Sequence, residues 1–306
     1  MSKYLELFKG SFNDSINEKT KPENKPYIGY SLNEGKMAYT VVPKLQPDNE
    51  IWYTTSDNNI VYFNDSCCNT TLVSNTYENG KGVAKFKEDL TYITSENLRI
   101  EVSGGDGIAF VQQVYDTNLV SLSLPSSLEC IYSGSLFSYR RLDEIVIGKN
   151  VKNIYNTGIY ILGLNKLKFN GTLSDWCNIN FINQFNPVVR GDYTSKLTPT
   201  YISKNLYIND TMLTDLVVPN DINELKQYTF YYLESLKTLD LNNVQTIGDS
   251  AFEGCTNITS ITIPATVTSI GNNAFKGITL SADNFINNSS LDAEANDYWG
   301  ATVVIT

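Results

Sequence analysis

From Leu236 the chain reads LKTLDLNNVQTIGDSAF and, after EGCT, reads nearly the same again as NITSITIPATVTSIGNNAF, ending at Phe275. Laid over one another, Leu236, Leu241, Val244, Ile247, Gly248 and Phe252 fall on Ile258, Ile263, Val267, Ile270, Gly271 and Phe275, with an offset of 22 residues before the internal turn and 23 after it. A repeat of this length is one turn of chain with one apolar edge, and such a turn cannot bury that edge alone. The chain must therefore stack its turns into a solenoid, a scaffold suited to presenting a surface.

The same period occurs earlier. Leu119, Leu122, Leu124, Leu128, Ile131 and Phe137 are matched 23 residues on by Leu142, Ile145, Ile147, Val151, Ile154 and Tyr160, and Leu164, Leu167 and Phe169 start a third coil 22 residues later. Pro125, Pro219 and Pro264 each follow a strand, where proline ends pairing and opens a turn. A short strand and a return segment per coil make this a leucine-rich-repeat solenoid. After Phe169 the period is expected to fail. Residues 170–212 form an aromatic-rich insertion carrying Trp176, Phe181 and Phe185, either an inner cap or a ligand platform, with Trp176 assigned to packing. The repeat resumes with Leu213, Leu216, Val218, Ile222, Leu225 and Phe230 and loses its pattern at Ile278–Leu280. The tail, 279–306, is either a cap or a strand given to a neighbouring subunit.

Upstream of the repeats the text changes. Residues 1–25 hold a short apolar cluster, Tyr4, Leu5, Leu7 and Phe8, and a polar linker; the cluster is too short to be a stable helix alone. It either folds back on its own domain or docks as an arm on another subunit. Residues 26–80 are expected to form a small antiparallel module of two hairpins, one joining 27–32 to 36–42 and one joining 50–54 to 60–63 around Ser56–Asn59. The first repeat block then spans 81–169, starting with Phe86, Leu90 and Ile93, whose separations match those of Leu124, Leu128 and Ile131. Residues 97–113 interrupt it with two strand-like runs around Ser103–Gly107; that glycine-rich turn lacks a phosphate-loop context and reads as a hairpin tip. The second block spans 213–278. The fold class is mainly β: an antiparallel N-terminal module followed by a leucine-rich-repeat solenoid with an insertion.

Composition narrows the chemistry. Among 306 residues, Lys and Arg number 23 against 33 Asp and Glu, a formal charge of −10, which argues against nucleic acid or an anionic membrane as partner. No histidine is present, which removes histidine-based nucleophile activation, histidine-ligated zinc and the usual general base near neutral pH. The five cysteines have neither the spacing of a zinc site nor an even number for a disulfide framework, so buried reduced thiols are expected. No stretch has signal-peptide or transmembrane length, from which synthesis in a cytosol without membrane insertion is expected. The Asn-X-Ser/Thr sequences then carry no weight.

Residues 246–258, TIGDSAFEGCTNI, followed by TSITIPATVTSIGNNAF, resemble the BspA-like class of leucine-rich repeat found in surface and host-interaction proteins of gut and oral bacteria. GTLSDWCNI at 171–179 and NLYINDTMLTDLVVP at 205–219 resemble the insertion that recurs in that class. The resemblance runs from about 82 to 278 and implies a curved solenoid that binds protein or glycan without catalysis; no cofactor or metal is expected. Secreted members carry a signal peptide or a lipid-attachment cysteine, which this sequence lacks. Its start, its hairpin YIGYSLNEGKMAYT and its repeat body are together similar to virion proteins of phages that infect gut Bacteroidales.

The function expected is therefore that of a phage structural protein, of fibre or adhesin type, located in the virion. Its N-terminal region would contact other virion proteins through Tyr4, Leu5, Leu7 and Phe8, and its solenoid would face a host surface protein or polysaccharide. A homotrimer would strengthen weak contacts by avidity. The outward strand positions nominate Glu144, Lys166, Lys168, Thr238 and Asp240 as the ligand face, although period-2 alternation alone also puts polar residues there. A bacterial cell-surface adhesin is the alternative. A carboxylate-based glycosidase is the third, and no pair of acids declares itself for it.

Overall fold

The computed structural model describes residues 27–33, 36–42, 45–63, 65–96, 108–109, 111–112, 119–132, 135–138, 142–155, 159–161, 164–182 and 198–304. Two compact units divide at Pro47/Asp48. In the first, Tyr27–Asn33 pairs antiparallel with Lys36–Val42, with Tyr30 opposite Tyr39, the hairpin expected from the sequence. The cluster Tyr4, Leu5, Leu7 and Phe8, the turn 103–107 and Phe185 lie outside the described residues.

The second unit is a stack of coils. Its main sheet has eight strands, and Leu119–Ser123, Glu144–Gly148, Lys166–Asn170 and Tyr207–Ile208 run parallel through it. Inward residues form rungs: Leu122 lies beside Ile145 and Ile145 beside Leu167, all essentially inaccessible to solvent. A second ladder backs the first, with Ile93, Ile131, Ile154 and Phe181 side by side on four parallel strands. Each of these side chains contributes about 1.5–3 kcal/mol by leaving water, but only because a neighbouring coil covers it.

The antiparallel strands before the repeats differ from the expectation in two ways. Glu50–Thr55 does not pair with 60–63; it lies between Lys81–Phe86 and Leu119–Ser123, while Tyr62–Phe63 pairs with Val111–Gln112. Moreover, the strands 50–55, 72–78 and 81–86 belong to the main sheet of the repeats, so a separate module at 26–80 is not what forms. The reason is burial. Ile51 and Tyr53 point inward and are 0% and 1% exposed. The Tyr53 hydroxyl donates to Asn75 Oδ1 at 2.6 Å, and its ring lies over Gly82, where a Cβ would collide with it. A local turn signal at Ser56–Asn59 is outweighed by this long-range contact.

The stack of coils continues past Phe169, although the 22–23-residue period does not. Thr172 caps the short helix Leu173–Cys177, its side chain accepting from Asp175 N while Asp175 accepts from Thr172 N. Asn180–Ile182 then supplies the fourth strand of the lateral ladder, completing the third coil. Trp176 is fully buried at 5.4 Å from both Phe169 and Phe181 and donates from Nε1 to the Thr229 carbonyl at 3.0 Å. The insertion is thus joined to the second block by a buried hydrogen bond.

In the second block Leu225, Ile247 and Ile270 form one rung set. Phe230, Phe252 and Phe275 stack through the core at 5.5 and 5.8 Å, their planes 13° and 10° apart. The tail makes a further turn rather than departing: Phe285–Asn287 pairs with Ile261–Ile263, and Thr302–Val304 with Thr279–Ser281, around a buried Trp299. No two of the five cysteines are joined by a disulfide. Burial pushes Cys177 and Cys255 up to about 12.

Coil spacing fixes one residue type. A Cβ on Gly248 would lie 2.5 Å from Gln227 N and 2.7 Å from Lys226 C, both backbone atoms of the preceding coil. Gly271 meets the backbone of Asp249 in the same way. Gly248→Val should therefore cost about 1–3 kcal/mol by overpacking, read as a lowered urea midpoint. An unchanged midpoint would show that the coils can separate at no cost.

Candidate binding surface

Strands present alternate residues to opposite faces, so the face of the main sheet opposite the core is set by register. One row runs across all eight strands: Thr76, Val83, Trp52, Ser123, Val146, Lys168, Tyr207 and Met212. Its six inner members are half-buried and Met212 is 43% exposed. Beside it lies Thr54, Ser121, Glu144 and Lys166, with the Thr54 and Ser121 hydroxyls 2.7 Å apart.

Charges on this face are held by neighbours. Lys168 Nζ is 3.0 Å from Glu144 Oε2 and 3.0 Å from Asp210 Oδ1. The Lys81 ammonium sits over the Trp52 ring, and Trp52 Nε1 donates to Glu50 Oε2 at 2.9 Å. Partial desolvation pulls the Lys168 ammonium down, but the hydrogen bonds to Asp210 and Glu144 outweigh it and hold the group above the ordinary lysine value. The two carboxylates on the central strands, Glu50 and Glu144, are thus committed to Trp52 and Lys168. Among the described residues no group of three or more Cys, Asp or Glu could hold a metal ion, and no helix is long and apolar enough to cross a membrane.

The structure places the nominated residues in two sets. Glu144, Lys166 and Lys168 share the main sheet, with Glu144 opposite Lys166. Thr238 and Asp240 lie on a separate pair of strands, opposite Asp215 and Val217. There Thr238 and Thr214 donate to Asp215 at 2.7 Å each, holding its carboxyl below the usual range, and Asp240 accepts from Asn242 N. The sequence did not nominate Trp52, Lys81, Val83, Tyr207 or Met212. Alternation in 50–55 puts Trp52 opposite the buried Ile51 and Tyr53, but only the long-range pairing shows which sheet it joins.

A family profile described as a BspA type leucine rich repeat region, in six copies, matches residues 111–186 and 198–296. The chain belongs to the BspA-type leucine-rich-repeat family. The match spans the lateral ladder from Cys130, the insertion and the second block, while the antiparallel strands 50–55, 72–78 and 81–86 lie before it. No curated protein matches the chain. Three solved chains match, among them the crystal structure of the T. pallidum leucine-rich-repeat protein TpLRR. That protein is 12% identical over 56% of this chain and 70% of its own, with a TM-score of 0.22, too low for the likeness to carry an argument.

The Lys168 pairings make a titration test. A lysine raised in the folded state lends stability that is complete below the unfolded pKa and is lost as pH rises through the folded one. Glu144→Gln with Asp210→Asn should lower the Lys168 pKa, followed by NMR of its Nζ. A titration unchanged from the wild type would show that the two contacts do not act on the charge.

Proposed function

We propose that this chain is a non-enzymatic binding protein of a phage particle, docked through residues 1–47 and engaging a host surface protein or polysaccharide with the face of its main sheet. The observation that carries the binding reading is the cross-strand row centred on Val83, Trp52, Val146 and Tyr207. It is half-exposed, and its aromatic and aliphatic side chains alternate with Ser123 and the internally paired Lys168, a mixture of apolar anchors and satisfied polar groups that suits an interface. An anchor such as Trp52, already oriented by Lys81 and Glu50, loses little freedom on binding.

Division of the chain at Pro47/Asp48 supports the docking half, because it leaves the N-terminal hairpin as a unit apart from the repeats. Display on a particle, as a homotrimer or otherwise, would raise weak single contacts by avidity. Family membership favours one other reading, a bacterial cell-surface adhesin using the same face. Glu50 and Glu144, bound to Trp52 and Lys168, are poor candidates for acid–base work.

Purified particles separate these readings. The protein should be present in them, and deletion of 1–47 should block its incorporation while the remaining unit still melts cooperatively. On wild-type particles, Lys166→Glu with Lys168→Glu should weaken host attachment about tenfold or more. Absence from particles contradicts the virion role. Unchanged attachment by the charge-reversed protein contradicts the assigned face.

A further inference from the structure

The lateral ladder carries a second surface that the repeat does not require. On its outer side Tyr92, Tyr132 and Tyr155 follow one another across three rungs. Tyr92 meets Tyr132 edge-on at 6.1 Å, and Tyr132 stacks on Tyr155 at 4.8 Å with planes 21° apart. Tyr92 is 39% exposed and Tyr132 36%, although Ile93 and Ile131 beside them are fully buried. The half-buried Ile182 extends the strip opposite Tyr155 on the fourth strand.

The second block differs at these positions. There the rung residues Ile247 and Ile270 are followed by Gly248 and Gly271, whereas Ile131 and Ile154 are followed by Tyr132 and Tyr155. The second block leaves no room for a Cβ there, whereas the first holds a large, partly exposed ring. Packing the core does not account for the rings.

Beside the rings runs a row of uncharged polar groups. Asn180 Nδ2 donates to Asn153 Oδ1 at 3.0 Å, and Asn153 Nδ2 reaches Cys130 Sγ at 3.5 Å. Lys226 anchors the far end, donating to Asn180 Oδ1 at 2.8 Å and to the Asn178 carbonyl at 2.6 Å. Each carboxamide spends one of its two N–H groups inside this row. Lys226 thus places one ammonium at that end, while Lys152 and Glu129, next in sequence to Asn153 and Cys130, pair with each other at 2.9 Å.

We propose that this tyrosine and asparagine strip binds a neutral polysaccharide. The inference rests on the reading of the chain as a binding scaffold and adds a site and a ligand class to it. A sugar chain presents C–H patches and hydroxyls in alternation at a regular repeat. Tyrosine supplies an apolar body with a polar tip, and asparagine supplies donors and acceptors without charge. Both recur here at rung spacing. With Lys226 as a single cation at its far end, the strip gives a polyanion no row of cations to neutralise it.

Affinity electrophoresis of the full chain in gels containing dextran, laminarin, starch, galactomannan or the polyanion alginate tests this. Retardation is expected in at least one neutral gel. Tyr132→Ser with Tyr155→Ser should raise the apparent Kd about tenfold, from two ring contacts of about 0.5–1.5 kcal/mol each. Tyr132→Phe with Tyr155→Phe keeps the ring stack, and hence the fold, and should raise it about fivefold through the lost hydroxyls. The idea is overturned by no retardation in any neutral gel, by retardation in alginate alone, or by retardation that survives both double variants. Host attachment through the main sheet is a separate readout, so failure of either site leaves the other standing.

Discussion

Every coil of the second unit owes its stability to the coils on either side. Ile145 is buried because Leu122 and Leu167 flank it, and Phe252 because Phe230 and Phe275 stack on its two faces. Remove one turn and its neighbours expose a complete apolar edge. The close approach this demands appears at Gly248 and Gly271, where the preceding backbone leaves no room for a Cβ. Trp176 extends the same dependence across the insertion. Its ring fills the third coil and its indole N–H serves the Thr229 carbonyl of the next block, so neither block closes its core without the other.

A stack of this kind has two ends and several strand edges, each a liability. At the start, Glu50–Thr55 lies antiparallel against Leu119–Ser123 and carries Lys81–Phe86 and Leu72–Glu78 beyond it. Ile51, Tyr53 and Phe86 cover the first inward rungs. At the other end the tail adds strands to the last coils and buries Trp299. The extension at the start also has a functional consequence. It widens the sheet from five strands to eight and brings Trp52 and Val83 into one row with Val146 and Lys168, with Lys81 over the Trp52 ring, giving the proposed binding face an oriented aromatic anchor.

How much of this the sequence shows depends on the range of the contact responsible. Rung residues such as Leu122, Ile145 and Leu167 were legible because a fixed period places each one, and the same is true of Ile247 and Ile270. The third coil was not, since its lateral rung is Phe181, 27 residues after Ile154 rather than 23, with a capped helix in between. The pairing of 50–55 was hidden for a different reason: the local turn favoured a hairpin, and burial of Tyr53 against partners from 75 to 122 decided otherwise. On the surface, alternation marked Glu144, Lys166 and Lys168 as outward but could not show that Lys168 is held between Glu144 and Asp210. The tyrosine strip stood in plain text, yet its members are 40 and 23 residues apart and only the ladder brings them together.

Mutual burial makes one demand that can be measured. Native-state hydrogen exchange across a denaturant series should give Ile145 and Leu167 of the first block and Ile247 and Phe252 of the second the same limiting opening free energy, converging on a single global unfolding. Exchange in which one block opens fully while the other stays protected would contradict the continuous stack joined at Trp176, and with it the rigid face on which the binding proposal stands.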